Sequence, residues 1–294
     1  MRRRASACIV TAVILAAAVL GAQQPVFHSS LELVRVDVSV TRSGEPVAGL
    51  GPRDFDLRDN GVRQTIREVI VEHVPLDLTL VLDVSSSVKG EKLKRLVEAA
   101  QQLVRGTGPG DRVALISFSH HLSRRVPLTA NADAVLRDLS ILQATGATAL
   151  NDAIFTALVE REANLHRAVT VVFSDGLDNS SWLAERQVVD LAVRGDEVVH
   201  VVAESPYAEA SRRNSRPKRP LFDNLTKATG GRLWWVSDSS ALAGAFAEIL
   251  RDIRSRYLLV YEPRNTPGSG WHSLDVRLAR GRGDVTARPG YFRK

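Results

Sequence analysis

The sequence predicts an α/β protein built on a doubly wound, mostly parallel sheet, with a small β-sandwich-like unit formed by its N- and C-terminal segments. From residue 75 onward, short continuous apolar runs alternate with segments of helical period, which is typical of strands buried on both faces by crossover helices. The segments on either side show the period of two expected of half-buried strands. With 44% hydrophobic and 24% charged residues among 294, the composition is that of an ordinary folded protein.

The N-terminal β unit is predicted over residues 30–74. Valines at alternate positions from 34 to 40 are separated by polar residues, so this segment is expected to be a half-buried strand. The tripeptide Asp59-Asn60-Gly61 is a hairpin-turn signal between two further strands. These features predict a small antiparallel β unit.

The α/β domain is predicted between residues 75 and 253. Its strands are assigned to the apolar runs at 76–82, 113–118, 169–173, 198–202 and 233–236. Amphipathic helices are assigned to 93–104, 150–158 and 242–253, where apolar residues recur on a single helix face. Residues 124–128 are a candidate for a short antiparallel edge strand.

The C-terminal segment, residues 256–294, returns to β character, with alternating apolar residues at 274–278 and a turn at 281–283. About forty residues are too few to form a stable sheet alone. We therefore expect this segment to pack on the N-terminal β unit, with the α/β domain inserted between them.

The first 22 residues have the order of a secretory signal: arginines at positions 2–4, an uncharged apolar run over 5–20, and then Gly21 and Ala22. The apolar run is short for a helix that crosses a bilayer. We expect cleavage after Ala22 and export to the periplasm or the medium, without substantial membrane insertion after the signal is removed. An uncleaved inner-membrane anchor is the alternative.

The single cysteine of the sequence, Cys8, lies within this signal. The mature protein therefore cannot form a disulfide, use a thiolate nucleophile or hold zinc through cysteine. Removal of the three signal arginines lowers the formal net charge from +6 to +3, because residues 1–22 contain no Asp or Glu. That excess is small for a nucleic-acid-binding protein, so no nucleic-acid partner is expected.

Oxygen-bearing side chains are predicted to meet at one edge of the sheet. In open parallel sheets, ligands bind beyond the carboxyl ends of the strands. One loop follows the strand at 76–82, a second leads into the helix at 150–158, and a third follows the strand at 169–173. The candidate ligands on these loops are Asp83, Ser85, Ser87, Thr148 and Asp175.

This candidate set offers hard oxygen ligands and no imidazole or thiolate, which favours Mg²⁺, or else Mn²⁺ or Ca²⁺, over zinc or copper. Because several ligands are neutral hydroxyls, the cation is incompletely neutralised, and a Glu or Asp of a protein partner is its best missing ligand. Taken alone, the loop at 83–87 is better explained as a cap of the following helix, and only its combination with Thr148 and Asp175 favours a metal site. Asp152 and Asp178 are weaker candidates, since Asp152 could only favour the helix N-terminus electrostatically and Asp178 could only stabilise a turn.

The three loops resemble the metal-ion-dependent adhesion site of von Willebrand factor A domains, and the resemblance covers about residues 75–253. It implies that Ser85, Ser87 and Thr148 contact the cation through their hydroxyls. It also implies that Asp83 and Asp175 bind directly or through water. The flanking Asp59-Asn60-Gly61 and Arg288-Pro289-Gly290-Tyr291 motifs are similar to the von Willebrand factor A-related exported proteins of acidobacteria.

The predicted function is therefore divalent-metal-dependent adhesion or recognition outside the cytoplasm, without enzymatic activity. The sequence has no Gly-x-Ser-x-Gly nucleophile motif and no Gly-x-x-x-x-Gly-Lys phosphate loop. Ser85 also stands where an aspartyl-phosphate phosphatase needs a second aspartate, which leaves a metal-dependent hydrolase as a weak alternative. A structural envelope protein whose metal only stabilises the domain is the stronger alternative. The basic segment at 211–220 is interpreted as a solvated loop.

Overall fold

The computed structural model describes residues 33–71, 74–162, 164–175, 177–204 and 219–293. The predicted signal peptide at 1–22 and most of the basic segment, 211–218, lie outside the described residues. Within the described ranges, no helix is both long and apolar enough to span a membrane.

Strands and helices alternate through the central region, and the described segments on either side of it, 33–71 and 257–293, consist mainly of strands. The described strands, in chain order, are β1 (Val34–Arg42), β2 (Glu45–Pro46), β3 (Phe55–Asp59), β4 (Val62–Arg63), β5 (Ile66–Ile70), β6 (Leu76–Asp83), β7 (Arg112–Phe118), β8 (Leu122–Thr129), β9 (Arg167–Ser174), β10 (Val198–Glu204), β11 (Leu233–Val236), β12 (Tyr257–Tyr261), β13 (Gly270–Leu278), β14 (Asp284–Ala287) and β15 (Gly290–Arg293). The described α-helices are α1 (Glu91–Arg105), α2 (Ala132–Ser140), α3 (Leu150–Val159), α4 (Glu185–Arg194), α5 (Pro220–Thr229) and α6 (Leu242–Ser255). Short 3-10 helices cover Pro52–Asp54, Ser86–Val88 and Ser239–Ala241.

The central sheet has six strands in the order β11-β10-β9-β6-β7-β8. Neighbouring strands are parallel except β7 and β8, which pair in antiparallel orientation. Residues of α1, α2 and α6 share the apolar core on one face of the sheet, and residues of α3, α4 and α5 share the core on the other. The predicted doubly wound, mostly parallel sheet is confirmed, and the edge strand expected at 124–128 is part of β8.

The central strands are apolar on both faces because successive side chains point to opposite sides of a sheet. In β6, Leu80 and Leu82 belong to the core shared with α1 and α6, whereas Val81 belongs to the core shared with α3 and α4. Burial on both faces fixes the register of this strand and therefore the place where it ends, at Asp83.

The two ends of the chain combine into two small sheets. One has the order β14-β1-β12-β5, with β2 paired to β1, and the other has the order β15-β13-β3-β4. Each sheet contains strands from both ends, because β1 pairs with β12 and β14, and β3 pairs with β13. Their apolar side chains form a single shared core. This confirms the predicted β-sandwich-like unit, while the domain bounds at 30–74, 75–253 and 256–294 remain predictions.

The polar face of β1 is covered by the central domain, whereas a half-buried strand is expected to expose this face to solvent. Asp37 accepts a hydrogen bond from Arg167 Nε at 2.7 Å and also pairs with Arg256, and the Ser39 hydroxyl donates to Asp252 at 2.8 Å. Burial alone would raise the pKa of Asp37, but the two arginines lower it below its ordinary value. Buried ion pairs therefore replace solvent on this face.

Candidate metal site

The candidate site lies where β6 and β9 end side by side. Leu82 pairs with Phe173 in parallel register, so the loops that leave the two strands emerge from the same edge of the sheet. The loop that precedes α3 is joined to both of them by hydrogen bonds described below. This is the carboxyl-end crevice in which open parallel sheets bind ligands.

Asp83, the last residue of β6, is fully buried and held by hydrogen bonds at both carboxylate oxygens. Its Oδ1 accepts from the main-chain N–H of Ser85 at 2.9 Å, and its Oδ2 accepts from the Ser174 hydroxyl at 2.7 Å. The bond from Ser174 crosses from the end of β9 and fixes the Asp83 carboxylate between the two strands.

The two predicted hydroxyl ligands of the first loop lie next to each other. Ser85 Oγ is 3.0 Å from Ser87 Oγ, with Ser85 buried and Ser87 exposed. The capping alternative for this loop is not observed, because Ser85 stands at the N-cap of the 3-10 helix without a side-chain capping bond. The N-cap of α1 is Gly90, which has no side chain to cap with. The serine hydroxyls are thus turned toward each other and not toward helix N–H groups.

The loop before α3 is tied to the first loop through its main chain. The N–H of Thr145 donates to the carbonyl of Val84 at 2.8 Å, and the N–H of Ser86 donates to the carbonyl of Gly146 at 2.9 Å. These two bonds hold the approach to Thr148 beside the serine loop.

The same loop is tied to the segment that follows β9. The N–H of Thr148 donates to Asn179 Oδ1 at 2.8 Å, and the N–H of Asn179 donates back to the Thr148 carbonyl at 3.0 Å. Thr148 itself is buried. The structure therefore brings together the three loops that carry the predicted ligands. Asn179 links the loop after β9 to the loop before α3 by hydrogen bonds.

The electrostatics of the site leave negative charge without a basic counterpart. Burial raises the pKa of Asp83, and the nearby charge of Asp175 raises it further. In the part of the chain that the structure describes, neither carboxylate has a basic group within ion-pair distance. Arg219 Nε donates instead to the main-chain carbonyl of Asp175, at 3.4 Å. Two neighbouring buried carboxylates without a basic neighbour favour uptake of a cation, because a cation stabilises their charged forms.

The available donors fit a hard divalent cation. No group of three or more His, Cys, Asp or Glu side chains able to hold a metal occurs among the described residues. The side chains at this edge that could hold a cation are carboxylates and hydroxyls, and such oxygen ligands suit Mg²⁺, Mn²⁺ or Ca²⁺. The set consists of Asp83, Ser85, Ser87, Thr148 and Asp175.

The two weaker candidates, Asp152 and Asp178, bind main-chain N–H groups. Asp152 accepts from the N–H groups of Trp182 and Leu183, both at 3.0 Å. Asp178 accepts from the N–H of Asn151 at 2.8 Å and from the Ser181 hydroxyl at 2.6 Å. Both carboxylates thus fasten the loop after β9 to the first turn of α3.

Sequence reasoning did not assign a role to Ser174 or Asn179. Ser174 ends a buried strand, and a polar residue at that position is a usable signal, since the sheet edge is where ligands bind. Asn179 bonds to a residue 31 positions earlier, and no local pattern predicts such a pair.

Comparison with known proteins finds a family match in the central region. Residues 78–185 match the model of the von Willebrand factor type A domain. A segment of 93 residues is 33% identical to inter-alpha-trypsin inhibitor heavy chain H4 of Sus scrofa, covering 30% of this chain and 10% of that protein. The chain thus spans only a small part of the length of this curated relative.

Two solved structures share the fold at low sequence identity. A von Willebrand factor type A protein from Catenulispora acidiphila aligns with a TM-score of 0.52 and 12% identity, over 86% of this chain and 74% of that one. Proximal thread matrix protein 1 from the mussel byssus, with a zinc-occupied MIDAS motif, aligns with a TM-score of 0.55 and 14% identity, over 66% of this chain and 50% of that one. At these identities the likeness establishes the fold.

Proposed function

The chain carries a von Willebrand factor type A domain at residues 78–185, and we propose that it is an exported, non-enzymatic binding protein with a bound divalent cation. A Glu or Asp of a protein partner completes the coordination of this cation. The proposed ligands are Asp83, Ser85, Ser87, Thr148 and Asp175. Domains of this family typically mediate protein–protein interactions.

The observation that carries the proposal is the pair of buried carboxylates, Asp83 and Asp175, next to the serine hydroxyls and without an ion-pair partner among the described residues. A bound divalent cation supplies positive charge and an open coordination position at the sheet edge. Asp83 is kept in place by Ser85 and Ser174, so the protein holds this ligand in one orientation before any partner arrives. Ser87 is exposed, and it marks the side from which a partner reaches the cation.

Export and the identity of the cation belong to the proposal as well. The basic, apolar and small-residue order of residues 1–22 supports secretion to the periplasm or the medium. The oxygen-only ligand set supports Mg²⁺ as the resident cation, with Mn²⁺ and Ca²⁺ as substitutes. Zinc in the MIDAS motif of the mussel protein supports a divalent cation at such a site, although the present ligands include no nitrogen or sulfur.

A selection of peptide ligands tests the proposed function. The protein is immobilised and a displayed library of random peptides is selected once with Mg²⁺ and Mn²⁺ and once with a chelator. We expect Glu or Asp to be enriched only when the cations are present. Asp175→Asn removes one charge but keeps an oxygen for the Leu177 N–H, and we expect this variant to lose the enrichment.

The matched control for that selection is Ser86→Ala, because Ser86 is exposed beside Ser87 and its hydrogen bond to the Gly146 carbonyl uses only the main chain. This control should select the same acidic peptides as the wild type. Equal enrichment of acidic peptides with and without chelator would overturn the proposal. A cation that raises the melting temperature without any acidic selection would instead support the structural alternative.

A further inference from the structure

Trp182 is almost completely exposed to solvent, in a loop beside the candidate site. The side chain of Trp182 is 96% exposed, and Leu177 in the same loop is 50% exposed. Both follow Asp175, on the segment that connects β9 to α4. Isolated exposed apolar residues are common on protein surfaces, but a large aromatic side chain fully in water and next to a binding site is a candidate contact for a partner.

The main chain that carries Trp182 is fixed. Its N–H donates to Asp152 Oδ2 at 3.0 Å, and the next N–H, of Leu183, donates to Asp152 Oδ1 at 3.0 Å. On the preceding side, Ser181 donates both its N–H and its hydroxyl to Asp178, at 3.1 and 2.6 Å. Three successive residues are thus anchored to carboxylates, so the exposed indole is presented from an ordered loop and little backbone order has to be gained on binding.

The distance between this tryptophan loop and the candidate site is limited by the hydrogen bonds between Asn179 and Thr148. Trp182 follows Asn179 by three residues, and three residues of extended chain span at most about 10 Å. An extended peptide covers such a distance in about three residues. One extended segment can therefore contact both the candidate site and Trp182.

The charge around the site suits an acidic segment. The described loops at 84–90, 119–121, 145–149 and 177–184 contain one acidic residue, Asp178, which is half-buried and accepts hydrogen bonds from the Asn151 N–H and the Ser181 hydroxyl. Lys89 is exposed two residues beyond Ser87, and Arg219 lies against the Asp175 carbonyl. This rim complements a negatively charged partner.

From these observations, and resting on the proposed function, we propose that Trp182 and Leu177 form an apolar anchor that determines partner choice. The preferred partner is a protein segment with a large apolar or aromatic side chain within about three residues of the Glu or Asp that completes the coordination of the cation. The acidic side chain supplies the metal contact, and the apolar side chain packs on the indole.

The peptide selection described above tests this anchor when it is repeated with Trp182→Ala and Leu177→Ala. For the wild type we expect apolar or aromatic residues to be enriched within about three positions of the selected acid. Trp182→Ala should keep its Mn²⁺ affinity and its preference for acids, but lose the apolar preference and bind the best wild-type peptide at least about tenfold more weakly.

Matched controls are available at exposed apolar positions outside this edge of the sheet. Trp271→Ala replaces a 41% exposed tryptophan in β13, and Leu165→Ala replaces a 78% exposed leucine before the opposite end of β9; both should leave the selection unchanged. Acidic enrichment without a neighbouring apolar preference, or unchanged peptide affinity in Trp182→Ala, overturns the anchor and leaves the proposed function standing. Loss of acidic enrichment in the wild type overturns the proposed function itself.

Discussion

Replacing Arg256 by methionine is expected to lower the free energy of unfolding by about 3–5 kcal/mol, because it removes the buried guanidinium that two buried carboxylates share. Arg256 is fully buried between Asp37 of β1 and Asp252 of α6, with 3.1 Å from Nη1 to Asp252 Oδ2. It also donates from Nη2 to the Gly230 carbonyl at 2.8 Å. Urea-induced unfolding at neutral pH measures the loss.

The control for this substitution is Arg251→Met on the same helix. Arg251 pairs with Glu45 at 3.3 Å, but both side chains are more than half exposed, so its removal should change the free energy of unfolding by less than about 1 kcal/mol. Equal effects of the two substitutions would show that the buried pair does not join the β unit to the central domain.

Replacing Glu197 by glutamine is expected to change how the stability depends on pH. Glu197 is buried, and its burial raises its pKa from 4.5 to about 7, against the lowering effect of the hydrogen bond from Thr170 and the charge of Arg161. The folded state therefore keeps a proton that the unfolded state releases. Below pH 4.5 both states are protonated, and as the pH rises from 4.5 to 7 the wild type loses up to about 3 kcal/mol.

Glu197→Gln has no such ionisation, so its advantage over the wild type should be small below pH 4.5 and reach about 3 kcal/mol above pH 7. Urea unfolding on both sides of this window measures the difference. Glu98→Gln, at an exposed position of α1, is the control and should show little pH-dependent change. A stabilisation by Glu197→Gln that is the same at low and high pH would contradict this account.

The central sheet could be predicted because its signals are local. A strand buried on both faces must be apolar at successive positions, and the helices α1, α3 and α6 show their apolar face in the spacing of their residues. Helices α2, α4 and α5 were not assigned individually from sequence. Length alone does not explain this difference, since α3 has ten residues and these three helices have nine or ten.

The buried ion pairs could not be predicted, because their partners are distant in the chain. Arg256 and Asp37 are separated by 219 positions, and Arg167 and Asp37 by 130. In β1, the alternation of valine and polar residues predicted one buried face correctly, but sequence alone could not show that arginines of the central domain cover the other.

The candidate ligands could be selected from sequence, since strand ends and helix starts fix where each polar side chain lies. The roles of Asp152 and Asp178 in ordering the loop after β9 depend on contacts made only in the folded chain. The full exposure of Trp182 likewise has no local signal, because an apolar residue is expected to be buried.

Calorimetric titration of Mg²⁺ and Mn²⁺ into the purified protein decides whether the five-ligand site exists. We expect one cation per chain, at least about tenfold weaker binding for Ser87→Ala and Asp175→Asn, and wild-type binding for Ser86→Ala. Circular dichroism of each variant confirms that it is folded. Absence of cation uptake by the wild type, or equal affinity in all four proteins, would contradict the site.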